Sequence, residues 1–179
     1  IWLCMLPPLA LAGWLAFESV RTNQLEFDKD ADALAQMIAF SIDAKLRSRA
    51  GALQVLSGSP DIDTPDRWQN LYSAAKSFQQ RFGSHVVLAS ADDPMRMLFN
   101  TRVPFGTPLP DLPQPKGRAA APIARKTGLP AVGDVFSGPI ADQTMVAIVI
   151  PAVRDGRVSS LLLTAIETRL FENALADMR

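Results

Sequence analysis

Residues 145–166, MVAIVIPAVRDGRVSSLLLTAI, decide the fold. Asp155-Gly156, following Arg154, is a hairpin signal, because both residues tolerate the positive φ that a tight antiparallel turn needs. The flanking segments 145–153 and 157–166 therefore read as paired strands. Residues 146–150 (VAIVI) and 161–163 (LLL) are apolar on both parities, as strands covered on both faces must be. Upstream, residues 85–89 (HVVLA) and 95–100 (MRMLFN) read as strands joined by Ala91-Asp92-Asp93-Pro94, and a further extended segment falls near 132–137. Consecutive strands without long crossovers predict an antiparallel sheet with helices on one side, an α+β class.

The helices show a different period. From Arg21 to about Ser57, Leu34, Ile38, Ile42, Leu46, Ala50, Leu53 and Leu56 recur at steps of four and three and form one apolar stripe. Asp43 and Arg47 add an i,i+4 charge pair. Such a helix, residues 21–57, would be about 55 Å long. It is either a stalk or dimerisation element, or a core-covering helix with a frayed start. Gly58-Ser59-Pro60 stops it. Thr64 as N-cap and Pro65 at the first helical position start a second helix, which Gly83 ends. Its apolar face, Trp68, Leu71, Tyr72, Ala75, Phe78 and Phe82, reads as core. Five prolines between Pro104 and Pro115 make that stretch a stiff surface loop. A short helix is expected near 117–127, ended by Gly128, and another from Glu167 to Met178.

Ile1 to Phe17 carries no charge, and Glu18 and Arg21 are the first charged residues. Its length as a helix is roughly 25 Å against a bilayer core of about 30 Å. Trp2 and Trp14 stand near its two ends, where amphipathic rings favour the interface. Residues 1–20 therefore read as a transmembrane anchor, in a chain whose start at Ile1 suggests a piece of a longer protein. The alternative is a signal peptide cleaved after Ala10-Leu11-Ala12, which would leave an apolar stub from Gly13 to Phe17.

Eighteen basic residues balance eighteen acidic ones, so no strongly basic nucleic-acid surface is expected. One cysteine and one histidine exclude an intramolecular disulfide framework and zinc-finger spacing. The sequence has no glycine-rich phosphate loop, no His-Glu-x-x-His, no Gly-x-Ser-x-Gly and no Cys-x-x-Cys. No catalytic residue, metal or cofactor is expected. His85 heads an apolar strand, and Asp92-Asp93 before Pro94 fit turn chemistry.

The distinctive stretch is Asn100 to Pro110, NTRVPFGTPLP. If the strand alternates through 95–102, Arg96, Leu98, Asn100 and Arg102 share a face. A guanidinium and an amide at a strand end can clamp a carboxylate with planar, bidentate geometry. Equally, Asn100 and Arg102 can bond the free carbonyls of the proline-rich loop. Arg118 and Arg125 either converge on the same pocket or lie on a solvated helix face.

The runs LFNTRVPFGTPLP (98–110), TGLPAVGDVFSGP (127–139) and VAIVIPAVRDGRVSSLLLT (146–164), after an outside-the-membrane helix pair, resemble the Cache (PDC, PAS-like) sensor domains of bacterial transmembrane signalling proteins. The resemblance covers roughly residues 21–170 and points to sensor histidine kinases, often of the HWE type. It implies a long N-terminal helix and a central antiparallel sheet of about five strands, with residues 58–179 as the sensor domain proper. It implies a small-molecule ligand, often a carboxylate or amino acid, in a pocket bordered by Asn100, Arg102, Asp134 and Ser137. It also implies a homodimer at the bacterial inner membrane with residues 21–179 in the periplasm, and no enzymatic activity in these residues. A chemoreceptor or a diguanylate cyclase is the alternative output, and a ligand-free dimerisation module the alternative role. The aromatic and acidic set of amino-acid-binding double Cache receptors has no counterpart here, nor do the phosphoacceptor and ATP-binding motifs of a kinase.

Overall fold

A computed structural model describes residues 33–113, 117–138 and 143–169. In chain order the elements are helix α1 (33–57), two 3-10 turns (Pro60–Asp63 and Pro65–Arg67), helix α2 (Trp68–Phe82), strands β1 (His85–Ser90) and β2 (Met97–Asn100), helix α3 (Ala120–Thr127), and strands β3 (Ala131–Val132), β4 (Phe136–Ser137), β5 (Thr144–Arg154) and β6 (Arg157–Glu167). The chain divides into two units, residues 1–43 and 44–179. Of the first, residues 33–43 are described and are helical. The expected anchor at 1–20, the start of the long helix and nearly all of the expected C-terminal helix lie outside the described residues. No helix among the described residues is long and apolar enough to cross a membrane.

In the second unit the sheet is antiparallel throughout, in the order β2-β1-β6-β5. β3 and β4 follow one another along the outer edge of β5, so six strands fill five positions. The β5–β6 hairpin is its axis, paired from Met145↔Glu167 to Arg154↔Arg157. Asp155 and Gly156 make its turn at φ 50° and 74°, a left-handed conformation that glycine adopts freely and aspartate tolerates.

Both faces of this hairpin are covered, which is why its residues are apolar on both parities. On one face Leu162, Ile166, Ile148 and Ile150 pack with Val86, Leu88 and Phe99 against Leu53 of α1 and Leu71, Ala75 and Phe78 of α2. Leu46, Ala50 and Leu56, the C-terminal part of the stripe read from the sequence, border the same cluster. On the other face Leu161, Leu163, Val149 and Val87 meet Met95, Met97, Leu112 and the alanines of α3. Helices thus cover both faces, rather than one as the strand order suggested, but the second face has only an eight-residue helix and the proline loop.

Three local expectations are corrected. The first turn after Thr64 is 3-10 rather than α, and the Thr64 side chain makes no cap bond; Trp68 opens α2 and turns back to donate from Nε1 to Ile62 O at 3.0 Å. Strand β2 does not alternate through 95–102. A bulge pairs Leu88 with Phe99 but Ala89 with Met97, leaving Leu98 as the extra residue. Leu98 consequently packs with the helix-side cluster, and Arg96, Leu98, Asn100 and Arg102 do not form one row. Glu167 ends β6 instead of opening a helix.

Two arginines fasten α1. Arg49 donates to Ser84 Oγ at 3.2 Å and to Phe82 O at 3.0 Å. Arg154, at the hairpin end of β5, donates to Asp63 Oδ2 at 2.7 Å and to the carbonyls of Ser57 and Ser59 at 3.1 and 3.2 Å. Carbonyls freed where a helix ends need such partners.

Candidate ligand-binding cleft

The cleft lies on the sheet face covered by the loop. Its volume is about 60 Å³. Val87, Met97, Leu112, Phe136, Met145 and Leu163 form its apolar wall, and His85, Asn100 and Arg102 its polar end. The wall follows from pleat and register. Val87 pairs with Asn100 and with Leu163 on its two sides, so three strands present these residues to the same face. Carrying the β1–β2 register two residues past the Val87↔Asn100 pair sets His85 level with Arg102, which lies in the turn that follows β2.

The start of the proline loop is tied to α2 and its end packs on the sheet. Tyr72 Oη donates to Val103 O at 2.8 Å and its ring lies 5.5 Å from that of Phe105. Lys76 Nζ donates to Thr101 O at 3.1 Å. Thr101 is fully buried, with Oγ1 accepting from Val86 N at 2.9 Å and its own N–H donating to Val86 O at 2.9 Å. Arg96 bridges to Asp111, and Leu112 N donates to Met95 O at 2.9 Å, pinning the far end.

Asn100 and Arg102 both line the cleft and are held differently. Asn100 Oδ1 accepts from Arg102 N at 2.9 Å, a turn-forming bond that supports the loop. The Arg102 guanidinium reaches the cleft and meets Glu167 Oε1 through Nη2 at 3.4 Å. That separation is long for a charge-assisted bond, whose usual range is about 2.7–2.9 Å. Among the described residues no other partner holds the Arg102 side chain, so its fork remains available to a planar anion. Gln143, with its amide oriented to donate, contacts both Glu167 oxygens at 3.0 Å and keeps that carboxylate at the rim.

Asp134 and Ser137 stand elsewhere. Asp134 Oδ2 accepts from Arg118 N at 2.7 Å and pairs with the Arg118 side chain at 4.0 Å. It borders a smaller recess against α3, contiguous with the cleft through Leu112, Phe136 and Leu163, but not the cleft itself. A side chain at Gly133 would collide with Ala120 N and Arg118 O, so glycine allows this close approach. Ser137 is exposed and lines neither. Arg125 pairs with Asp93 at 3.8 Å, away from the cleft.

His85 and Glu167 were not singled out from the sequence. His85 Nδ1 lies 3.5 Å from Thr101 Oγ1. Burial, then the charges of Arg102 and Lys76, hold its imidazole below the usual 6.5, against an upward pull from Glu167 and Thr101. The signal that could have found it is register, which the bulge in β2 conceals. Among the described residues no cluster of His, Cys, Asp and Glu could hold a metal ion.

No protein-family model matches the sequence, and no curated protein matches it significantly. Solved structures do match. The ligand-binding domain of the Campylobacter jejuni chemoreceptor Tlp3, in complex with L-norvaline, aligns at a TM-score of 0.61 with 16% identity over 77% of this chain and 56% of that one. A methyl-accepting chemotaxis protein X aligns at 0.64 with 15% identity over 89% and 68%. The ligand-binding domain of the Pseudomonas fluorescens chemoreceptor CtaA, in complex with L-isoleucine, aligns at 0.58 with 15% identity over 77% and 55%. The fold is that of chemoreceptor ligand-binding sensor domains, and the chain spans a little over half the length of the Tlp3 domain.

Proposed function

We propose that this chain is a small-ligand sensor domain of a membrane signalling protein, and that its cleft binds a compact carboxylate with Arg102 as anchor. The observation that carries the reading is the Arg102 fork at the polar end of an otherwise apolar cleft, held by a single long contact to Glu167. The sensor folds it matches include chemoreceptor domains solved with amino acids bound, which supports a small carboxylate-bearing ligand. A chemoreceptor output is the reading those neighbours favour over the histidine kinase inferred from the sequence. In either, residues 1–20 anchor the chain, residues 21–179 face the periplasm and two copies associate. The ligand biases signalling only if its affinity differs between the two signalling states, with α1 as the element that reports the difference.

The test is a thermal-shift screen of the full chain against acetate, propionate, pyruvate, L-alanine and L-valine. A ligand at about 100 times its Kd adds roughly 2.7 kcal/mol, a rise of about 5–10 °C at this size. Arg102→Ala should abolish the rise while leaving the unliganded Tm within about 2 °C, since the residue's one ion pair is long, at 3.4 Å, and partly exposed. A flat screen, or a rise that survives Arg102→Ala, rejects the carboxylate reading.

A further inference from the structure

We propose that His85 is the second cationic partner of the carboxylate held by Arg102, charged only while that carboxylate is bound, so that binding takes up a proton. The inference rests on the carboxylate reading above and adds to it the residue and the linkage. Three features place His85 in this role. It lines the same cleft as Arg102, and the β1–β2 register, extended two residues beyond Val87↔Asn100, sets the two positions level. Its Nδ1 has a weak contact to Thr101 Oγ1, while no described residue hydrogen-bonds Nε2. A protonated imidazole would present Nε2–H as a donor to an anion in the cleft.

Burial first, and then the charges around it, decide when it is protonated. Lys76 faces it from α2, Arg102 from the turn after β2, and Glu167 from the end of β6. Two cations therefore oppose one anion, and burial adds to the penalty on a third positive charge. Burial and these charges keep His85 neutral near pH 7 while no carboxylate is bound. A bound carboxylate evens the local charge and removes the cationic part of the opposition to protonation, while burial continues to oppose it. By linkage, the same coupling makes carboxylate affinity rise as pH falls through the interval between the free and bound midpoints.

The sequence contains a single histidine, so its ring resonances are unambiguous in the full chain prepared without a histidine tag. The ring would be titrated by NMR between pH 8 and pH 5 with and without saturating propionate, a probe whose short alkyl chain suits the apolar wall. The expected result is a midpoint roughly one pH unit higher with propionate. Calorimetry near pH 6 in two buffers of different ionisation enthalpy should show proton uptake. The affinity should rise by up to about tenfold per pH unit, and this dependence should vanish in His85→Gln. Propionate binding with an unmoved histidine midpoint and no proton uptake overturns the inference while the carboxylate reading stands. No binding of propionate, acetate or pyruvate at millimolar concentration overturns both.

Discussion

The two faces of the sheet solve the same burial problem differently. The helix-side face is closed by the stretch of α1 from Leu46 to Leu56 and by the 15 residues of α2, long elements whose apolar stripes match the pleat, and it leaves Leu53, Leu88 and Leu162 fully buried. The opposite face is covered by the eight-residue, alanine-rich α3 and a loop whose prolines cannot join the sheet. Short side chains and irregular backbone fill space poorly, and the shortfall is the cleft. The packed core and the proposed ligand cleft are therefore separated by one strand thickness, with neighbouring residues of β5 and β6 facing one or the other.

Leu162 and Leu163 put that contrast to its strongest test. They adjoin in β6 and point to opposite faces, Leu162 into the helix-side core and Leu163 toward the cleft. Leu162→Ala should cost about 4–5 kcal/mol, the upper range for a site that cannot collapse, and leave ligand selectivity unchanged in the molecules that fold. Leu163→Ala should cost about 2–3 kcal/mol, because it already borders open space, and should shift preference toward longer alkyl carboxylates. Urea denaturation of both variants gives the comparison, and equal costs would show that the faces are packed alike.

How much of this was legible in the sequence follows the same division. The helix-side face could be read because periodicity reports packing: the steps of Leu46, Ala50, Leu53 and Leu56 and the aromatic face of α2 are the faces found buried. The hairpin was legible from Asp155-Gly156 and from the apolar parities around it. The cleft was legible only at Asn100 and Arg102, where an unusual residue pair breaks an apolar run. Its depth depends on register, and the single extra residue at Leu98 moved a side chain across the sheet without leaving a compositional trace. Asp134 belongs to the same difficulty. An acidic residue after a glycine suggests a pocket as readily as a latch, and only the backbone of Arg118 lying beside it separates the two.

Smaller effects should fall on the contacts that fasten each cover to the sheet. Arg154→Ala removes hydrogen bonds to Asp63 and to the carbonyls of Ser57, the last residue of α1, and Ser59, and should cost about 1–2 kcal/mol with no change in carboxylate affinity. Asp134→Ala should cost only about 0.5 kcal/mol, since the Arg118–Asp134 pair is exposed, but it frees the segment leading into α3. Hydrogen exchange would locate that loosening at residues 118–121. Protection lost instead at α2 would show the covers to be coupled through the sheet.

The smallest effect is the dependence of unliganded stability on pH, and its sign is fixed by His85. The folded imidazole titrates below 6.5 because burial, Arg102 and Lys76 oppose its charge, whereas the unfolded chain takes the proton near 6.5. Between these two values the unfolded state binds more protons, so the contribution is present above about pH 6.5 and is lost as pH falls toward the folded midpoint. A single site cannot exceed about 1.4 kcal/mol per pH unit, and a partly exposed one should fall well short. Carboxylates titrate at lower pH, so the informative quantity is the difference between wild type and His85→Gln from pH 7.5 to 5.5. The wild type should lose more Tm than the variant across that interval. Saturating propionate should narrow the difference, because an anion beside Arg102 offsets the cationic part of the penalty while burial remains. Parallel curves without ligand would place His85 outside the field of Arg102 and Lys76, and the loop face would then be an apolar recess with one isolated cation.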